Sequence, residues 1–74
     1  MPRKLEPRLL NRVRELRTDT GMTQQEIADQ LGITRQTIVA LERGGYTPSL
    51  ALALRIAQLF ETAVDDIFWF EGST

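Results

Sequence analysis

Apolar residues recur along the chain in short blocks at helical spacing, broken by Gly, Pro and hydroxyl side chains, with strand-like alternation only at the two ends. Five helices are predicted. The first runs roughly from Leu9 to Thr20, with Leu9, Val13 and Leu16 at the i, i+4, i+7 spacing of one face. Gly21 tolerates the positive φ of a helix stop. The second begins at Thr23, whose hydroxyl and the Glu26 carboxylate form a capping-box pair, and turns Ile27, Ala28 and Leu31 inward. Gly32 closes it and Thr34 caps the third, so that Ile33 fills a tight corner between two steeply crossing helices. Pro48 disfavours helix at Thr47, and Ser49 caps the fourth helix. Apart from Arg55 and Gln58 that helix is apolar on nearly all sides and is predicted to be central. Thr62 and Asp65 form a capping-box-like pair for a short fifth helix ending near Phe68, before the tail "FWFEGST".

The third helix has an outer face that ordinary solvation does not explain. With 100° per residue and Ile38 at zero, Leu41 falls at about 300°, which sets the buried direction near 330°. Gln36, Val39, Ala40 and Arg43 cluster about the opposite direction, with Arg35 at the helix start and Thr37 to one side. On the first helix, by contrast, Arg17 falls at about 40° from Val13, along the apolar face. A guanidinium directed inward requires a carboxylate. Glu42, about 70° from the core direction of the third helix, is the candidate.

Composition narrows the chemistry. The 74 residues suffice for one small domain whose core is marginal on its own. Cysteine and histidine are both absent, which removes disulfides, thiolate metal sites and the usual general base. No metal site, cofactor or enzymatic activity is predicted. No apolar run reaches membrane-spanning length, and the N-terminus lacks the features of a signal peptide, so a cytoplasmic protein without membrane contact is expected. The net charge of −1 conceals an asymmetry: residues 1–17 carry +4, residues 18–45 carry −2 and residues 46–74 carry −3. A basic front and an acidic rear can orient a protein on a polyanion.

The segment "TQQEIADQLGITRQTIVALERG" resembles the helix-turn-helix of the lambda-repressor and Cro-like regulators, the XRE class, and the resemblance continues through "YTPSLALALRIAQLFETAVDDIF". The capping Thr23, Gln24, Ala28, Gly32, Ile38, Leu41, Glu42, Gly44 and the "PSL" after the loop all fall in register. Within that class the chain looks most like short stand-alone regulators. The resemblance implies an all-α, five-helix lambda-repressor-like DNA-binding domain, to which a short C-terminal β-strand could be added. It divides the chain into a basic arm at residues 1–8, a DNA-binding domain at 9–68 with the helix-turn-helix at about 23–43, and a dimerisation segment at 62–71.

Arg35, Gln36, Val39 and Ala40 then become base-contacting candidates: Arg suits guanine, Gln suits adenine and small apolar groups suit the thymine methyl. The resemblance makes Gln24 a phosphate donor, and Thr34, Thr37, Arg43, Tyr46 and Thr47 join it as phosphate-contact candidates. For Tyr46 a packing role is equally open. Arg17 and Glu42 match the family's structural ion pair, with phosphate binding by Arg17 as the alternative. Val64, Ile67, Phe68, Trp69 and Phe70 are the expected dimer interface, and the segment from Phe68 to Glu71 could pair as a strand with residues around Arg8 to Leu10. The expected function is a homodimeric repressor that binds double-stranded DNA at an inverted repeat, with no small-molecule effector evident. The alternative is an antitoxin-like or antirepressor-like module whose main partner is another protein.

Overall fold

The structure, a computed structural model, describes residues 7–72. The first six residues, including Arg3 and Lys4 of the expected basic arm, lie outside the described residues. The element order is β1 (Leu9–Asn11), α1 (Val13–Asp19), α2 (Gln24–Leu31), α3 (Arg35–Arg43), α4 (Leu50–Phe60), α5 (Val64–Ile67) and β2 (Phe68–Phe70). All five helices contribute to one core, through Val13, Ile27, Ala28, Leu31, Ile38, Leu41, Leu52, Ile56 and Ile67. This is the five-helix lambda-repressor-like fold with a two-stranded antiparallel sheet added where the chain ends meet.

Local chemistry sets most boundaries. Thr23 and Glu26 complete a reciprocal capping box, with Thr23 Oγ1 accepting from the Glu26 amide at 3.0 Å and Glu26 Oε1 accepting from the Thr23 amide at 2.8 Å. Thr34 and Ser49 accept from the Thr37 and Leu52 amides at the starts of α3 and α4. At the end of α2, Gly32 takes φ 71° and lets the Ile33 amide donate back to the Ala28 carbonyl at 3.0 Å. Arg55 of α4 donates to the Leu31 carbonyl, covering another acceptor at that helix end. An arginine that reads in the sequence as a mere interruption of an apolar helix is thus a C-terminal cap for its neighbour.

Two boundaries and one interface residue depart from the sequence reading. Helix α1 starts at Val13, not Leu9, because Leu9–Asn11 is extended and pairs with β2 in the register Leu9 to Phe70, Leu10 to Trp69 and Asn11 to Phe68. Asn11 ends the strand: its Oδ1 accepts from the Val13 amide at 3.0 Å, while its Nδ2 donates to the Leu41 carbonyl at 3.0 Å. Thr62 does not cap α5. Its hydroxyl donates to the Phe60 carbonyl at 2.8 Å, and the capping position falls to Ala63, which has no side chain able to accept. Ile67, expected at a dimer interface, is fully buried in the core. Withdrawing an isoleucine from such a site costs about 1.5–3 kcal/mol, so it serves its own chain. Phe68 is half-buried and packs against the same core.

Helix α4 ends with the same backbone pattern as α2, but on a residue that is not glycine. Glu61 sits at φ 51°, and the Thr62 amide donates to Ala57 at 3.0 Å. A left-handed conformation costs an L-residue about 1–2 kcal/mol, partly offset by the greater unfolded-state freedom of glycine. Glu61→Gly is therefore expected to stabilise the protein by about 0.5–1 kcal/mol, read as a higher thermal midpoint. An unchanged or lower midpoint would show that Glu61 is not strained.

Candidate nucleic-acid interface

Helix α3 is fixed on its inner side by Ile38 and Leu41, both fully buried. A second fixture is polar. Arg17 Nε donates to Glu42 Oε2 at 2.6 Å, Arg17 Nη2 donates to Glu42 Oε1 at 3.2 Å, and Arg17 Nη1 donates to the Met22 carbonyl at 2.9 Å. The side chains of the pair are 12% and 4% exposed. At that depth the charges must be matched, and the two-point fork of the guanidinium on the carboxylate does so. The hydrogen bond from Glu42 raises the Arg17 pKa further above its usual range, against the lowering effect of burial. Gln24, first residue of α2, adds a third helix: its Nε2 donates to Glu42 Oε1 at 3.1 Å.

This network forms the floor of an open concavity of about 600 Å³ lined by Arg14, Thr23, Gln24, Arg35, Val39 and Arg43, among others. Arg14 escaped the sequence reading, although it stands three residues before Arg17 and hence on the same side of α1. Beside it, Arg35, Gln36, Val39, Ala40, Arg43 and Gly45 line a shallow depression on the outer face of α3. The four expected base-contacting residues therefore share one surface. Arg35 and Gln36 are exposed, while Val39 and Ala40 are half-buried.

The expected phosphate contacts do not form one group. Gln24 and Arg43 line the first concavity, whereas Tyr46 and Thr47 line another beyond the end of α3. Thr34 and Thr37 line neither: their hydroxyls lie 3.0 Å apart at the start of α3, in contact with each other. In the expected interface segment Val64 is half-buried on α5, while Trp69 and Phe70 are 37% and 53% exposed on β2.

A two-helix unit packed on a small helical core, with its second helix presenting an exposed basic and small-apolar face, defines the class of helix-turn-helix proteins. The chain belongs to the XRE-type helix-turn-helix family, whose family model matches residues 13–67. It is similar to the uncharacterized HTH-type transcriptional regulator YgzD of Bacillus subtilis, at 46% identity over 61 residues, covering 82% of this chain and 92% of that protein. An uncharacterized HTH-type transcriptional regulator of Archaeoglobus fulgidus is 50% identical over 60 residues, covering 81% of this chain and 86% of its own length. Among solved structures, the restriction-modification controller protein C.AhdI of Aeromonas hydrophila superposes with a TM-score of 0.67 at 31% identity, covering 73% of this chain and 82% of that one.

Arg17→Ala would leave the Glu42 carboxylate buried without its charge partner and is expected to destabilise the protein by about 2–4 kcal/mol. Replacing both residues with Ala should cost less than the sum of the single changes, because the double variant buries no unmatched charge. Chemical denaturation of the four proteins in the cycle measures this. Additive losses would mean that the two side chains do not depend on each other.

Proposed function

We propose that this protein is a sequence-specific DNA-binding transcriptional regulator that acts as a homodimeric repressor on an inverted-repeat operator. The observation that carries the reading is the outer face of α3, where two half-buried small apolar residues lie between exposed Arg35, Gln36 and Arg43. A face built only for solvation would favour long polar side chains throughout. A face that enters the major groove must instead admit close approach at some positions, with hydrogen-bonding groups beside them. The likeness to proteins named as transcriptional regulators supports the same reading.

In the proposed complex Arg35 and Gln36 read base edges and Val39 or Ala40 lies against a thymine methyl. Gln24, Arg43, Tyr46 and Thr47 hold phosphates, which fixes orientation without reading sequence. Thr34 and Thr37 remain proposed phosphate contacts at the start of α3. Trp69 and Phe70, with Val64 and the exposed edge of Phe68, form the proposed dimer contact within residues 62–71. Two copies joined there would present two α3 helices to half-sites about 34 Å apart. A dimer seated on a promoter excludes polymerase by occupying the duplex, which is why repression is the sign proposed.

Selection from a random duplex pool is expected to return an inverted repeat. Gln36→Ala should then relax preference at one position per half-site at a cost of about 1–3 kcal/mol for each half-site, whereas Arg43→Ala should weaken all sequences alike and reduce the salt dependence by about one unit of slope for each protomer. An equal loss by Gln36→Ala on selected and random duplexes would remove α3 as the reading surface. Trp69→Lys should shift sedimentation toward monomer and weaken operator binding with it. A Trp69→Lys protein that stays dimeric would place the contact elsewhere.

A further inference from the structure

The first concavity lies along only one flank of α3. On the helical projection used above, its α3 residues Arg35, Val39, Glu42 and Arg43 fall between about 40° and 140°, and the centre of the outer face lies near 150°. Gly44 falls at about 240°, on the opposite flank. Here a second concavity of about 420 Å³ opens, lined by Arg8, Asn11, Gly44, Tyr46, Thr47 and Phe70, among others. A helix seated in the major groove has a sugar–phosphate strand on each side of it, about 12 Å apart. The second concavity is therefore where the other strand would run.

Its single charged lining residue is Arg8, and the fold holds that residue in place. The Arg8 carbonyl accepts from the Glu71 amide at 2.7 Å, which extends the β1–β2 ladder by one bond. The guanidinium lies over the end of α3, with its Nη2 3.9 Å from where a Cβ would stand on Gly44. There the positive charge offsets the partial negative charge of the terminal helix carbonyls, which would otherwise repel an anion. Asn11 commits one N–H of its side-chain amide to the Leu41 carbonyl, which holds the amide against the end of α3. The Arg8 guanidinium and the residues bearing the Tyr46 and Thr47 hydroxyls line the same space.

We propose that Arg8, Tyr46 and Thr47 form a second phosphodiester clamp, on the flank of α3 opposite Gln24, with Arg8 as its charged member. One positive charge and two neutral donors match the single negative charge of a phosphodiester. A dianionic phosphate ester would leave one charge uncompensated beside the carbonyl end of α3. Arg8 thus acts from the sheet, and the C-terminal strand positions it by backbone pairing. The inference rests on the proposed DNA-binding function and adds to it a residue from outside the helix-turn-helix.

The test uses the full-length protein and its selected duplex, with neutral methylphosphonate placed at one phosphate at a time. Arg8→Ala leaves the backbone bond to Glu71 in place, and a thermal midpoint that falls by no more than a few degrees, as for loss of one cation at a helix end, verifies that the fold is kept. The variant is expected to bind selected and random duplexes about 10- to 100-fold more weakly, as for loss of a hydrogen bond to a charged group. Its salt slope should fall by about one unit for each protomer bound. Arg8→Lys should keep the slope. Wild type should lose a similar factor when one particular phosphate flanking each half-site is neutralised, and Arg8→Ala should be indifferent at that position. An Arg8→Ala protein with unaltered salt slope and the wild-type pattern of methylphosphonate sensitivity would overturn the clamp while leaving the DNA-binding reading intact. Failure of wild type to prefer any duplex sequence would overturn both.

Discussion

The Glu42 carboxylate is the point at which three helices are tied together. It lies on α3, accepts two bonds from Arg17 of α1 and one from Gln24 of α2, and is only 4% exposed. A carboxylate at that depth is several kcal/mol unfavourable unless its lone pairs are matched by donors. Here each oxygen has at least one, and one partner is a cation. The requirement is directional in a way that apolar packing is not. Ile38 and Leu41 would tolerate some rotation of α3 about its axis, but the forked contact between guanidinium and carboxylate would not. The angular position of the outer face is therefore set from the inner one.

That arrangement explains how so small a domain presents an exposed surface without loosening. Residues Val13, Ile27, Ile38, Leu41, Ile56 and Ile67 are fully buried, and each helix contributes at least one of them. The two ends of the described chain add a sheet in place of a larger core. Asn11 links that sheet to the rest, with one side chain serving the start of α1 and the end of α3. The sheet, the buried ion pair and the apolar core all meet α3. Its outward residues gain their fixed geometry from that convergence, since most of them are themselves exposed.

Where the hydrogen bonds are local, the sequence was a good guide. Thr23 with Glu26, Thr34 and Ser49 were legible as caps because donor and acceptor lie within three residues of each other. The inward direction of Arg17 was legible from helical angle alone, and the structure puts Glu42 at its end. The start of α1 was misread because Leu9, Val13 and Leu16 fit a helical face whether or not Leu9 is helical. What decides its state is β2, about sixty residues away. Ile67 was misassigned for a related reason, since apolar character does not reveal whether a residue faces its own core or a partner. Arg14 was passed over as a site residue, and Arg8 was read only as part of a basic arm, because nothing in their immediate neighbours marks which way they face.

The order of helices, their caps, the core-facing residues of α2 and α3 and the polarity of the outer face of α3 were determined by the sequence alone. They follow from interactions among residues within one or two turns, which a periodicity of 3.6 encodes directly. The tertiary structure decided which of two compatible backbones the Leu9–Asn11 segment adopts, that Arg55 caps a helix other than its own, and that Gln24 shares a carboxylate with Arg17. It also decided that exposed cations come from both α1 and the residue before β1 to flank α3. Those outcomes depend on groups 18 to about 60 residues apart being brought within hydrogen-bonding distance. Only the packed core fixes such distances, because a chain's local pattern specifies which face of a helix is apolar but not what will lie against it.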